Sequence, residues 1–129
     1  MKAIDTNILV RYLTRDDPAQ VPLSDAVLAQ PCLLTLTVLL ETVWLLASRY
    51  GMARTQIAGA LEALLELPSI TTVDDGQVGW AIHRFAAGAD FADMIHLVAS
   101  RDADSFISFD KKLARLAGAQ SPLPIEILA

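Results

Sequence analysis

One cysteine, Cys32, stands among the 129 residues, so no internal disulfide can form. Its place in the apolar run Pro31-Cys32-Leu33-Leu34 reads as a small buried hydrophobe, and the chain fits a reducing, cytoplasmic setting. Apolar runs of membrane length are missing too. The longest stretch without a charged residue, Ala26 to Leu40, falls short of the ~20 residues that cross a bilayer and is interrupted by Pro31. An acid as early as Asp5 leaves no basic-then-apolar leader, so neither a signal peptide nor a membrane partner is expected. Low-complexity segments, fixed-period repeats and Gly/Ser linkers are also lacking, and the simplest parse is one domain over residues 1–129. There is no excess of basic residues: Lys and Arg number 10 against 15 Asp and Glu, for a formal charge of -5. Such a chain repels nucleic acid at long range, which excludes a strongly basic binding face. What is abundant is apolar side chain, 53% of the residues, enough for a core without disulfides or structural metal.

Short apolar runs alternate with longer helical patterns. Lys2 to Asp5 reads as a first strand and Ile8 to Leu13 as part of a helix ending near Asp16-Asp17-Pro18. A helix over Ala19 to Ala29 leads to a strand at Cys32 to Thr35, and Thr37 is the expected N-cap of an apolar helix from Val38 to Tyr50, ended by Gly51. Thr55 to Leu67 repeats its apolar residues at helical spacing. Ile70 to Val73 is β-branched, and Asp74 is placed to cap a helix that runs towards Ala87. Asp93 to Ala103 and Lys111 to Ala117 read as helices, Ser105 to Phe109 as a strand, and Ile125 to Leu128 as an edge strand. Strands alternating with helices imply crossovers, hence an α/β fold with a central parallel sheet and helices on both faces. In such folds ligands bind beyond the carboxyl ends of the strands. Asp5, the Thr37 to Glu41 segment and Asp110 fall there.

Each of these acids has a plain structural reading beside a functional one. Asp5 suits an N-cap or a ligand. Glu41, the only charged residue from Ala26 to Ser48, lies in a helix apolar enough to be buried, which predicts a cation beside it, unless it sits on a lone exposed stripe. Asp90 suits the N-cap of its helix. Asp93, three residues on, shares a face with it, and His96 follows at the same spacing. Asp110 can cap the last helix. Carboxylates gathered at one edge would repel by roughly 3 kcal/mol per pair at ~5 Å and an effective dielectric of ~20, so a bound cation is implied. Carboxylate oxygens suit Mg²⁺ or Mn²⁺, whereas one Cys and two His provide poorly for zinc. A metal-activated water is the chemistry such sites serve. Phosphate-binding loops of the GxxxxGK[ST] and GxGxxG types, the GxSxG elbow and a Cys-His nucleophile are all missing.

Four segments in order, Ile4-Asp5-Thr6-Asn7-Ile8-Leu9-Val10, Leu39-Leu40-Glu41-Thr42-Val43-Trp44, Asp90-Phe91-Ala92-Asp93-Met94-Ile95-His96 and Ile107-Ser108-Phe109-Asp110-Lys111-Lys112, resemble a PIN-domain ribonuclease, more narrowly a VapC-type toxin of a type II toxin-antitoxin pair. The resemblance implies a Mg²⁺- or Mn²⁺-dependent endoribonuclease, an RNA substrate, a cognate antitoxin and a homodimer. By position it makes Asp5, Glu41, Asp93 and Asp110 the catalytic and metal-binding acids, with Asp90 an auxiliary ligand or cap. Thr6 and Asn7 match the polar pair beside the first acid, and Ser108 the hydroxyl before the fourth. Arg11, Arg15, Lys111, Lys112 and Arg115 are candidates for RNA phosphates or for solvated helix faces, and Trp44, Trp80 and Tyr50 read as packing or interface residues. Two other readings stand beside this one: a degenerate PIN domain that only binds a partner, and a metal-dependent phosphatase of small molecules. The four acids account for most of the negative charge, and without them the chain stands at -1.

Overall fold

Two-residue strands carry the first half of the chain. In the computed structural model, which describes residues 1–129, the chain divides into two compact units, Met1–Asp75 and Gly76–Ala129. The first runs β1 (Lys2–Ala3), α1 (Thr6–Thr14), α2 (Val21–Leu28), β2 (Cys32–Leu33), α3 (Leu36–Ser48), α4 (Arg54–Leu65) and β3 (Ile70–Thr71). Its strands are parallel in the order β1-β2-β3, with Ala3 opposite Leu33 and Leu33 opposite Thr71. Flanking bonds lengthen these minimal ladders: Ile4 N–H donates to Leu33 O at 3.2 Å and Leu34 N–H to Thr71 O at 2.9 Å. Parallel neighbours require crossovers, and the helix pairs α1–α2 and α3–α4 supply them.

The helices form where caps and apolar spacing agree. Leu39, Thr42, Val43 and Leu46 make the buried face of α3, and the Thr42 hydroxyl satisfies itself by donating to Val38 O at 2.7 Å. The helix opens two residues earlier than expected. Its N-cap is Thr35, whose hydroxyl accepts from Val38 N–H at 3.3 Å, while Thr37 lies inside the first turn. Gly51, at φ 62°, turns the chain into α4, where the Gln56 side chain accepts from Ala53 N–H at 3.0 Å. Ile57, Leu61 and Leu64 of α4 are buried with Leu9, Leu34, Leu39 and Leu46 as the apolar interior of this unit. Cys32 is buried as expected, its thiol directed at the Val27 and Gln30 carbonyls.

The second unit contains nearly all of α5 (Asp75–Ala86), then α6 (Phe91–Ala99), β4 (Phe106–Ser108), α7 (Leu113–Ala117) and β5 (Ile125–Ile127). β4 and β5 pair in parallel, with Ile107 opposite Glu126. All strand pairs are therefore parallel, as the crossover pattern requires, but they fall into a three-stranded and a two-stranded ladder. Gly88, at φ 114°, breaks α5 from α6, and Phe85 meets Phe91 edge-to-face with centroids 5.5 Å apart. The carbonyls at the end of α7 are taken up by α5: Trp80 Nε1 donates to Ala117 O at 3.1 Å and Arg84 Nε to Leu116 O at 2.7 Å.

Candidate functional site

Asp5 stands two residues past β1, at the same carboxyl edge from which α3 departs after β2. Its backbone is extended and its Oδ1 accepts from Thr6 N–H at 2.8 Å, so it is the N-cap residue of α1 while the side chain remains exposed. Thr6 is buried beneath it and Asn7 is exposed. Glu41 corrects the expectation of a buried carboxylate beside a cation. It is exposed and in no ion pair, on a stripe of α3 that also holds Thr37, Trp44 and Ser48. The spacing of that stripe, four, three and four residues, is one helix face.

Arg11 and Arg15 are engaged at home. Arg15 makes a two-pronged pair with Asp25, at 3.1 and 2.7 Å, and Arg11 reaches Gln20 Oε1 at 2.8 Å and Asp16 at 3.4 Å. Asp16 also accepts from the Tyr50 hydroxyl at 2.6 Å and from Thr14 at 2.9 Å. Those bonds, the tyrosine's foremost, hold its carboxyl below the usual range. This junction between α1 and the end of α3 is invisible in the sequence, because its members lie 34 residues apart. A hollow of about 470 Å³ lined by Lys2, Ala26, Val27, Gln30 and Cys32 opens at the opposite, amino-terminal edge of the strands and contains no acid.

In the second unit Asp90 is the N-cap of α6, its Oδ1 accepting from Asp93 N–H at 3.0 Å. Asp93 occupies the first turn, partly buried. Its carboxyl is pushed above the usual carboxylate range, first by desolvation and then by the negative charges of Asp90 and Asp110, with His96 acting weakly in the other direction. These three acids therefore feel one another. Asp110 follows β4 by two residues and does not cap α7, whose N-cap is Lys112. Instead its Oδ1 accepts from Lys112 N–H, and its own N–H donates to Ser108 Oγ, both at 3.0 Å. Ser108 thereby holds the loop on which Asp110 is presented. His96 is exposed.

No three His, Cys, Asp or Glu side chains stand together as a group able to hold a metal ion. The donors' chemistry nevertheless fits a hard divalent cation: Asp90, Asp93 and Asp110 offer only carboxylate oxygens, and positive charge would relieve the repulsion that raises Asp93.

Parallel α/β units with carboxylates just beyond their strand ends define a class of folds whose ligand sites lie at that edge. Within that class the chain belongs to the PIN domain family, which matches residues 2–119. PIN domains are generally metal-dependent nucleases. A search of curated proteins finds no match. No helix is long and apolar enough to cross a membrane.

Proposed function

We propose that this protein is a Mg²⁺- or Mn²⁺-dependent endoribonuclease, acting as the VapC-type toxin of a toxin-antitoxin pair and held in check by a cognate antitoxin. The observation that carries the reading is Asp93, a partly buried first-turn carboxylate held above its ordinary range first by desolvation and then by Asp90 and Asp110, in a chain of the PIN family. A carboxylate disfavoured by burial and by neighbouring acids is a candidate site residue.

Asp5, Glu41 and Asp93 are the proposed metal-holding acids. Asp110 supplies a fourth carboxylate, and Asp90 stays occupied with the α6 N-terminus through one oxygen. A divalent cation bound by such acids supplies a nucleophile from water at neutral pH and stabilises charge on the leaving oxygen. The chain's own part is to hold these carboxylates in place. Asp5 Oδ1 is fixed by Thr6 N–H, and Asp110 Oδ1 by Lys112 N–H, which leaves the second oxygen of each side chain free of these bonds. Asp93 sits in the first turn of α6, its N–H bonded to the Asp90 carboxylate.

Purified protein with Mg²⁺ or Mn²⁺ is expected to cut RNA internally, and EDTA to stop it. Asp5→Asn and Asp93→Asn should each lower the rate at least about 100-fold, since even residues that merely support metal ligands cost 10–100-fold. Cleavage that persists unchanged in both variants would sink the assignment. The toxin role is read separately: induced expression should arrest growth, Asp93→Asn should not, and co-expression of a cognate antitoxin should restore growth.

A further inference from the structure

Arg84 is a half-buried arginine of α5 that is paired with no acid. Its guanidinium is directed at main-chain carbonyls instead: Nε donates to Leu116 O at 2.7 Å and Nη2 to Arg115 O at 3.4 Å. With the bond from Trp80 Nε1 to Ala117 O, three successive carbonyls at the end of α7 are held from α5. A helix of five residues does not persist on its own, and a cation at its C-terminus suits both the unpaired carbonyls and the macrodipole. Gly118, the C-cap at φ 75°, leaves room for it. A Cβ there would stand 3.2 Å from Arg84 Cζ and Nη1.

The main chain of the same residue is tied to the other acid-bearing segment. Arg84 O accepts from Ala89 N–H at 3.0 Å, Phe85 O accepts from Gly88 N–H at 3.0 Å, and the Phe85 ring meets Phe91, so α5 also fixes the turn that delivers Asp90 and Asp93. On the α7 side the connection to Asp110 is equally short. Leu116 N–H donates to Lys112 O at 3.0 Å, Leu113 N–H to Asp110 O at 3.1 Å, and Lys112 N–H to Asp110 Oδ1. Arg84 is thus bonded both to the segment leading into Asp90 and Asp93 and to the helix continuing from Asp110. Carboxylates that repel one another move apart wherever their supports are slack, and Mg²⁺ tolerates little departure from its preferred geometry. We infer that Arg84 is a positioning residue: its carbonyl on one side and its guanidinium on the other set the separation of Asp93 from Asp110, and so the fit of the pair to a divalent cation. The inference rests on the metal-dependent nuclease reading and adds to it a residue that touches neither metal nor RNA.

The test compares Arg84→Met, which keeps the bulk and removes the donors, with Arg84→Lys, which keeps a charged donor. Ile57→Val, a core change in the other unit, lowers stability outside α5 and α7 and serves as the control. Calorimetry of Mn²⁺ on the full chain should show affinity about tenfold weaker in Arg84→Met, the lower end for groups that orient metal ligands, partly recovered in Arg84→Lys and unchanged in Ile57→Val. Gly118→Ala, which crowds the guanidinium, should act in the same direction as Arg84→Met. The Mn²⁺ concentration for half-maximal cleavage should rise by about the same factor, with KM for RNA within about twofold of wild type. Amide exchange without metal reads the geometry directly. In Arg84→Met the N–H groups of Asp110 and Lys112 should exchange at least about tenfold faster, while that of Asp93, on the side held by the Arg84 carbonyl, keeps its wild-type rate. Equal loosening on both sides, or an equal loss of metal affinity in Ile57→Val, would show a merely structural arginine and overturn the inference. A raised KM with unchanged metal affinity would make Arg84 a phosphate contact and overturn it too. If wild-type protein binds no Mn²⁺, the nuclease reading fails, and the selective exchange pattern still carries the positioning of Asp110. Wild-type metal binding that is indifferent to Arg84→Met is the opposite outcome: the inference falls and the nuclease reading stands.

Discussion

Ionising Asp93 places a third negative charge near Asp90 and Asp110, in partial burial, and the fold resists it. The consequence for stability follows from linkage. A carboxyl whose pKa is higher in the folded than in the unfolded chain binds its proton more tightly when folded, so its contribution favours folding at low pH. That contribution is lost as pH rises from the ordinary value, 3.8, through the raised one. At neutral pH without metal, the ionised Asp93 thus works against folding. Asp93→Asn should raise the melting temperature of metal-free protein at pH 7 and narrow its difference from the pH 4 value, while cleavage falls at least about 100-fold. Divalent metal should raise the melting temperature of wild type and much less that of the variant. A variant less stable than wild type at pH 7 would mean that Asp93 is structural. Asp16 behaves in the opposite sense: its lowered pKa, due chiefly to the Tyr50 hydroxyl, favours folding above 3.8 and fades as pH falls below it.

At the scale of elements, α3 shows what the residues reveal and what they conceal. The isolation of Glu41 is plain in the sequence, but it pointed to a buried carboxylate, whereas the residue is exposed. Its exposure was hidden because the solvent stripe, Thr37, Glu41, Trp44 and Ser48, contains a tryptophan that is 60% exposed, and the half-buried leucines beside it blur the helix's two faces. Caps are legible by type but ambiguous by position where two threonines stand two residues apart. The distinction is measurable. Thr35→Ala should cost about 1 kcal/mol of stability by chemical denaturation, whereas Thr37→Ala, exposed in the first turn, should cost no more than a few tenths. Equal losses would contradict the observed cap. Strands two or three residues long carry too little alternation to fix their pairing, so the parallel sense was readable from the intervening helices but the division into two ladders was not. The acids after β1 and β4 were found because strand ends are marked in the sequence. The Arg11–Asp16–Tyr50 junction was not, since nothing local announces a contact across 34 residues.

For the whole molecule the question is how a chain of charge -5 would take hold of the proposed RNA substrate. Of its ten Lys and Arg, Arg11 and Arg15 are bound to their own acids, while Lys111, Lys112 and Arg115 are free near Asp110. Attraction is therefore local, and the acids Asp90, Asp93 and Asp110 oppose it within the same unit unless a cation offsets them. RNA affinity of the wild-type chain, read by rapid mixing before cleavage, should accordingly depend on divalent metal, with at least about tenfold weaker binding in EDTA, because about 1.4 kcal/mol of residual repulsion already amounts to a factor of ten. In Mg²⁺ the slope of log affinity against log salt should be shallow, about -2, the value for three single-strand phosphate contacts. Without metal, added salt screens the repulsion and should weaken binding less, or strengthen it. A steep salt slope that is the same with and without metal would point to a basic binding face, which neither the composition nor the arrangement of charges provides.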